Sequence, residues 1–174
     1  EAGLSFPQLF GRAARQYAER YHCPLGSMAA IATKNHSNAM ANPLAQMHRV
    51  MDFEHCNNVS KSNPFVAESL RLTDCSLISD GAAAIILASP KRARAFRRDV
   101  QICAMTQVND CLPIAQRDIL AFEGPQRAIH TALRGANITL ADLSFAEVHD
   151  CFTIAELLIY EAMGLAHKAD GNRL

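Results

Sequence analysis

The amino-acid sequence predicts an α/β protein in which strands alternate with helices behind a helical, loop-rich N-terminal section. From residue 72 onward, short apolar runs typical of strands alternate with segments whose apolar residues recur every three or four positions. Before residue 72, two amphipathic segments are followed by a stretch rich in Asn, Ser, His and Pro, which favours irregular structure.

The N-terminal section predicts two helices. Apolar residues recur at helical spacing over residues 9–21, with charged side chains between them. Ser27 is positioned to cap a second helix that starts just after it. Residues 35–64 predict irregular structure, with a short helix over 45–51.

Three segments predict strands. The apolar run over 82–89 is continuous enough for a buried strand, 100–108 alternates in polarity, and 143–148 is a short strand before the last helix. Gly81 and the alanines after it predict close packing of a helix or backbone, with close approach of a ligand as the alternative.

The remaining elements are predicted helices. One begins at Gly124 and Pro125, and Gly135 is predicted to lie just past its end. Thr139 and Asp142 have the spacing of a small capping box. The last helix, 152–163, is closed by a glycine, and its predicted buried stripe consists of Ile154, Leu157 and Leu158.

Composition narrows the class of protein. Of 174 residues, 49% are hydrophobic and 20% charged, and the formal net charge is zero, which is typical of a globular domain. We therefore expect no nucleic-acid partner, and the lack of an apolar run of about 18 residues predicts no membrane span. The basic run 91–98 is interpreted as a solvated helix face, with a nucleic-acid patch as the alternative.

Several kinds of site are unsupported by the sequence. The six cysteines form no CxxC pair and are interpreted as free thiols, mostly buried. No metal site is predicted, because the histidines outside 147–152 show no metal-ligand spacing and are assigned to surface or loop positions. The chain has no GxGxxG, P-loop or GxSxG motif, which leaves dinucleotide binding, nucleotide hydrolysis and serine-hydrolase chemistry unsupported.

The stretch EVHDCF, residues 147–152, is the candidate catalytic edge. It lies between a predicted strand end and a helix N-terminus, where ligands collect in α/β sheets. On an extended strand His149 and Cys151 would face the same side, and the helix dipole would favour a thiolate on Cys151. A histidine polarises an oxygen and a tuned thiol transfers a proton. The spacing alone leaves open that His149 is a satisfied polar residue and Cys151 buried filler.

Two longer motifs resemble the thiolase superfamily. LRLTDCSLISDGAAAIIL (70–87) and AEVHDCFTIAELLIYEAMGL (146–165) are similar to thiolase blocks. The HDCF form resembles the sterol-carrier-protein-linked branch, where other thiolases carry Asn-Glu-Ala-Phe. LGSMAAIATKNHSNAMANPLAQM (25–47) is similar to the loop domain of that branch.

The resemblance implies a division of the chain and part of a layered thiolase fold. Residues 1–71 would form the loop domain on the coenzyme A side, 72–90 the last strands of the first half, and 91–174 the start of the second half. The nucleophilic cysteine segment and a Gly-His-Pro segment would lie outside these residues. We therefore expect a central portion of the enzyme or a truncated derivative, inactive by itself, with exposed apolar faces where partner strands belong.

The resemblance also implies an activity: thiolysis of a 3-ketoacyl-CoA or the reverse Claisen condensation. His149 would line the oxyanion site, Cys151 would exchange protons, and Ser76 would contact the coenzyme A arm. Coenzyme A and acyl-CoA would be substrates, with no permanently bound cofactor and no metal. The resemblance further implies a homodimer or tetramer, in the cytoplasm if bacterial and in the peroxisome or mitochondrial matrix if eukaryotic. The alternative is a non-catalytic thiolase-like protein that binds coenzyme A or lipid, or serves as an assembly subunit.

Overall fold

A computed structural model describes residues 3–22, 26–97 and 100–171. The helices are α1 (Phe6–Tyr21), α2 (Gly26–Ala39), α3 (Phe53–Asn57), α4 (Pro90–Ala93), α5 (Glu123–Ala136) and α6 (Thr153–Met163). The strands β1 (Phe65–Ala67) and β2 (Leu70–Arg71) form a two-stranded antiparallel sheet. Short 3-10 turns cover Leu72–Asp74, Ile114–Gln116, Ile119–Ala121 and Leu140–Asp142.

Helix α6 is the centre of the core. Its predicted stripe of Ile154, Leu157 and Leu158 is buried, each residue being only 1% exposed, and the burial extends around nearly the whole helix. Helices α1, α2 and α5 all pack against α6. Burial of apolar area is the main favourable term in folding, so this helix is the element around which the others assemble.

The two-stranded sheet packs against helix α1. Phe65 pairs with Arg71 and Ala67 with Leu70 in the antiparallel register. Gly11 of α1 faces this hairpin, and a Cβ added there would lie 3.1 Å from the carbonyl oxygen of Ala67. The small residue at position 11 thus permits a close approach of helix and strand. The sequence pattern does not predict this hairpin, because its strands are only three and two residues long.

The N-terminal helix predictions hold in part. The helix over 9–21 is confirmed as α1, in which the backbone N–H of Ser5 donates to Gln8 Oε1 at 2.7 Å. The second helix is confirmed, but Ser27 lies inside α2 instead of capping it. The helix over 45–51 is wrong: the short helix is α3, whose start is fixed by Asp52 Oδ1 accepting from the N–H of His55 at 2.7 Å.

The later helices are confirmed, with one correction. Helix α5 runs from Glu123 to Ala136, so Gly135, predicted just past its end, lies inside it, and Asn137 is the left-handed C-cap. The capping box exists, with the backbone N–H of Thr139 donating to Asp142 Oδ2 at 2.8 Å. Helix α6 ends at Met163 and is capped by Gly164, whose φ of 87° suits a glycine cap.

The α/β class is confirmed by the combination of helices and a small sheet, but the three predicted strands are wrong. Among the described residues, 82–89, 100–108 and 143–148 form no strand ladder. A strand needs a hydrogen-bonded neighbour, and none is present along these segments in the described part of the chain. Ile86, Val100 and Phe145 are accordingly 87%, 92% and 78% exposed, which confirms the expected exposed apolar faces.

The prediction of close packing after Gly81 is also wrong. A Cβ added to Gly81 would meet nothing within 4 Å, and the alanines that follow are exposed. The small residues of this segment therefore make no close contact in the structure. The small size of these alanines would permit close packing only if another helix or strand lay against the segment.

The basic run is a solvated surface, as predicted, over its described part. Residues Lys91, Arg92, Arg94 and Arg97 are exposed on and after the single turn of α4, while Arg98 lies outside the described residues. No helix in the described ranges combines the length and apolar character needed to cross a membrane.

The cysteine prediction needs a correction. The five described cysteines are free, but only Cys56 is fully buried. Cys75 and Cys151 are half-buried, and Cys103 and Cys111 are exposed. The two exposed cysteines belong to segments that the sequence pattern places in or near strands, so their exposure follows from the missing strand pairing. Cys23 lies outside the described residues.

Candidate functional site

Two of the motif segments meet at the start of α6. Cys75 and Phe152 form an isolated antiparallel bridge, and the backbone N–H of Ser76 donates to the carbonyl oxygen of Cys151 at 3.0 Å. The junction thus brings Ser76 beside Cys151, although 75 positions separate them in the sequence. Because the contact is made by backbone atoms, it depends little on which side chains stand there.

A buried ion pair anchors this junction. Arg71 Nε and the Arg71 backbone N–H both donate to Asp74 Oδ2 at 2.8 Å, and both side chains are at most 2% exposed. Thr153, the first residue of α6, donates its hydroxyl to Asp74 Oδ1 at 2.9 Å. Arg71 also donates from Nη1 to the carbonyl oxygen of Asn57 at 2.8 Å. One carboxylate therefore ties the start of α6 to β2, and its arginine extends the connection to α3.

Helix α2 holds the other side of the junction. Asn35 Nδ2 donates to Asp150 Oδ2 at 2.6 Å and to Glu156 Oε2 at 2.7 Å. Lys34 and Tyr160 both donate to Glu156 Oε1. Burial acts to raise the pKa of Glu156, but these donors outweigh it and lower the pKa below its ordinary value. Glu156, only 3% exposed, is therefore held as a carboxylate.

A pocket of about 410 Å³ opens between α2, the 45–51 loop and the junction. Its wall is largely apolar, with polar groups from several elements. The polar lining includes Asn35, His36, Arg49, His55, Asp74, Ser76 and Asp150. A mostly apolar pocket with a few converging polar groups is the usual form of a small-molecule site.

The three predicted site residues, Ser76, His149 and Cys151, do not share one environment in the structure. Ser76 is exposed and lines the pocket. His149 is exposed and Cys151 is half-buried against the core, and neither lines the pocket. Ser76 and Cys151 are adjacent through the backbone, whereas the prediction that His149 and Cys151 share one face of a strand loses its basis, because 143–148 forms no strand.

The predicted thiolate on Cys151 is also contradicted. Burial raises the pKa of the Cys151 thiol, backbone N–H groups lower it by less, and the charge of Asp150 raises it further. Cys75 across the junction has a pKa raised to about 11 by burial and by Asp74. Desolvation and the neighbouring carboxylates raise both pKa values, so both sulfurs rest as thiols at neutral pH.

Helices α2 and α3 contribute pocket residues that the sequence pattern does not predict. His36 and His55, which we assigned to surface or loop positions, both lie on helices and line the pocket. Burial lowers the pKa of His36, against a hydrogen bond with the backbone of Arg49. Lys34, Asn35 and His36 lie in the segment 25–47 that resembles the loop domain, but this resemblance does not indicate which partner each side chain would contact. No group of three or more His, Cys, Asp or Glu in the described ranges is arranged to hold a metal ion.

Comparison with known proteins shows one family model and several proteins to which this chain is similar in sequence. Residues 106–174 match the family model described as "Thiolase C-terminal domain-like". The chain is 35% identical to an acetyl-CoA acetyltransferase of Methanothermobacter thermautotrophicus and 34% identical to one of Methanocaldococcus jannaschii, with 99% of the chain covered in each case. It is 31% identical to human sterol carrier protein 2 over 97% of the chain.

The chain spans 45% and 44% of the length of the two archaeal relatives and 31% of the human one. The match nonetheless extends over nearly all of its own residues and includes both motif segments. The chain belongs to the thiolase superfamily.

Proposed function

We propose that this chain is a portion of an acyl-CoA thiolase that cleaves 3-ketoacyl-CoA or catalyses the reverse Claisen condensation. The observation that supports this most is the junction, where Ser76 and Cys151 are held together by a backbone hydrogen bond of 3.0 Å. In this proposal Ser76 contacts the coenzyme A arm, His149 donates to the thioester oxygen, and Cys151 exchanges protons.

The raised pKa of Cys151 indicates the order of its two proton transfers: it donates a proton first and accepts one afterwards. During thiolysis, the nucleophilic cysteine attacks the keto carbon, and the bond between the α-carbon and the keto carbon breaks to leave an enolate. The Cys151 thiol gives its proton to that carbon and becomes a thiolate. The thiolate then takes the proton of the coenzyme A thiol, whose sulfur attacks the acyl-enzyme. The bond between the acyl carbon and the nucleophilic cysteine breaks, and that cysteine leaves as the thiolate that begins the next cycle. A group that rests as a thiol is in the correct form for the first of these proton transfers.

The test is steady-state thiolysis by the intact protein with His149→Ala and Cys151→Ser. We expect each substitution to lower kcat by about 100-fold or more, since one oxyanion donor contributes about 10²–10³ and one acid–base group about 10²–10⁴. The matched controls are His130→Ala and Cys103→Ser, which change exposed residues away from the junction and should leave kcat unchanged. Unchanged turnover in both junction variants would refute the assignment.

The second candidate is a non-catalytic thiolase-like protein that binds coenzyme A or an acyl-CoA. The observation that favours it is that Ser76 lines the pocket, whereas the two residues proposed for proton transfer and oxyanion binding, Cys151 and His149, do not. It predicts that coenzyme A binds, by titration calorimetry, to an intact protein that has no measurable thiolysis. Ser76→Ala should then weaken binding, while Ser79→Ala, at a nearby exposed serine, should not.

The domain division and the assembly are part of the same proposal. We propose residues 1–71 as a loop domain, 72–90 as the end of the first half and 91–174 as the start of the second half. Contacts between α2 and α6 support a loop domain that packs onto the second half. We also propose a homodimer or tetramer, which sedimentation of the intact protein would test. The cytoplasm of a bacterium, or the peroxisome or mitochondrial matrix of a eukaryote, is the proposed compartment.

A further inference from the structure

One amide on α2 contacts two acidic side chains of the junction. Asn35 Nδ2 lies 2.6 Å from Asp150 Oδ2 and 2.7 Å from Glu156 Oε2. The nitrogen carries two hydrogens, so it can donate to both carboxylates at once. Asp150 stands between His149 and Cys151 in the sequence. A single side chain from α2 is therefore connected to the segment that carries both proposed functional residues.

The other end of this connection is firmly held. Glu156 is 3% exposed and also accepts hydrogen bonds from Lys34 and Tyr160. A buried carboxylate with several donors has few alternative orientations, and hydrogen bonds to charged groups are the strong ones. Asn35 is thus fixed against α6 on one side and holds Asp150 on the other. Asn35 and Asp150 also share the wall of the pocket.

We propose that Asn35 is a positioning residue, which fixes Asp150 and thereby sets the orientation of His149 and Cys151 on either side of it. The catalytic consequence of this inference rests on the proposed thiolase function, whereas the positional consequence does not. Asn35 acts through Asp150 and touches no reacting atom. A change at Asn35 should therefore alter the positions of His149 and Cys151, which flank Asp150, and the shape of the pocket wall.

The test is Asn35→Asp in the intact protein. This change removes both donors and places a third carboxylate beside Asp150 and Glu156 at almost unchanged size. We expect alkylation of the Cys151 thiolate by iodoacetamide, followed by peptide mapping and expressed as the rate per thiolate from the pH profile, to become about tenfold faster, which corresponds to the loss of one hydrogen bond to a charged group. The rate per thiolate is compared because the added carboxylate should raise the pKa of the thiol, as Asp150 does. In thiolysis we expect kcat to fall about 10- to 100-fold with KM nearly unchanged.

Two further variants make the test specific. Asn38→Asp makes the same chemical change at an exposed position of α2, and both readouts should stay at the wild-type value. Asn35→Asp combined with Asp150→Asn restores an amide–carboxylate pair between positions 35 and 150 in the reverse direction, while the contact between position 35 and Glu156 stays a pair of carboxylates. Most of the tenfold change in alkylation rate should then disappear, which a general loss of packing at position 35 would not give.

The outcomes separate this inference from the proposed function. A folded Asn35→Asp protein whose Cys151 reacts at the wild-type rate would overturn it, as would a double variant that reacts no more slowly than Asn35→Asp. If Asn35→Asp does not fold, the inference holds only if the double variant folds and reacts near the wild-type rate. If the wild-type protein shows no thiolysis, the proposed function fails while the alkylation rates still decide the role of Asn35.

Discussion

Removal of the Asp74 carboxylate is predicted to cost more stability than any other single change at the junction. Its side chain is fully buried and accepts hydrogen bonds from the backbone N–H and Nε of Arg71, each at 2.8 Å, and from the Thr153 hydroxyl at 2.9 Å. Asp74→Ala leaves the buried guanidinium without this counter-charge, which typically costs about 3–5 kcal/mol. Thr153→Val removes one hydrogen bond to a charged group, for which we expect about 1.5–3 kcal/mol.

The double variant distinguishes a shared network from two independent effects. Once Asp74 is gone, the Thr153 hydroxyl has lost its carboxylate partner, so Asp74→Ala with Thr153→Val should cost less than the two single changes added together. The expected coupling is about 1.5–3 kcal/mol, the value of the shared bond. The matched control is Thr33→Val, because that hydroxyl donates only to the helix carbonyl of Ala29, at 2.9 Å, and should matter little.

The measurement is urea unfolding of the intact protein followed by far-ultraviolet circular dichroism. Free energies of unfolding are comparable only where the dependence of the unfolding free energy on urea concentration has the same slope in wild type and in every variant. A cost below about 1 kcal/mol for Asp74→Ala, well short of the value for a broken buried pair, would show that Arg71 does not need this carboxylate. Strict additivity in the double variant would show that Thr153 and Asp74 do not share a bond.

Two further predictions concern the helices. Gly11→Ala should destabilise the protein by about 1 kcal/mol in thermal unfolding, because crowding against Ala67 exceeds the gain in helix propensity, whereas Gly135→Ala, with 3.5 Å to the nearest atom, should stabilise it by about 0.5–1 kcal/mol. The lowered pKa of Glu156 means that its carboxylate contributes stability above about pH 4.5 and loses it as the pH falls through the folded-state pKa. The difference in unfolding free energy between wild type and Glu156→Gln should therefore be largest near neutral pH and shrink below pH 4.5; a constant difference would contradict this.

The sequence predicted most helices, because their information is local. The apolar spacing of α1 and α6 and the capping box at Thr139 require only residues within a few positions of one another. The strand predictions depend on partners far along the chain, and periodicity cannot supply a partner. The apolar runs at 82–89 and 100–108 have the character of strands but no ladder within the described residues, and they lie exposed.

The candidate site, like the fold, was predictable from the sequence only where its residues belong to local motifs. The motif resemblance selected Ser76 and the HDC segment, and the structure brings Ser76 to Cys151. The role of Asn35 required knowing that α2 packs on α6, which is a long-range contact that no spacing rule provides. The thiolate prediction for Cys151 failed because a helix dipole is visible in a sequence, whereas burial and the charge of Asp150 act through three-dimensional surroundings.

The backbone character of the junction decides which substitutions report on chemistry. The 3.0 Å bond joins the N–H of Ser76 to the carbonyl of Cys151, so Ser76→Ala and Cys151→Ser retain both atoms of that contact. Changes at Asp74 or Thr153 remove side-chain bonds that hold the same junction, and they would lower activity and stability together. A loss of turnover without a loss of stability in Ser76→Ala or Cys151→Ser therefore measures the hydroxyl or thiol itself. A loss of turnover in Thr153→Val would be accompanied by a loss of stability and would measure the position of the junction instead.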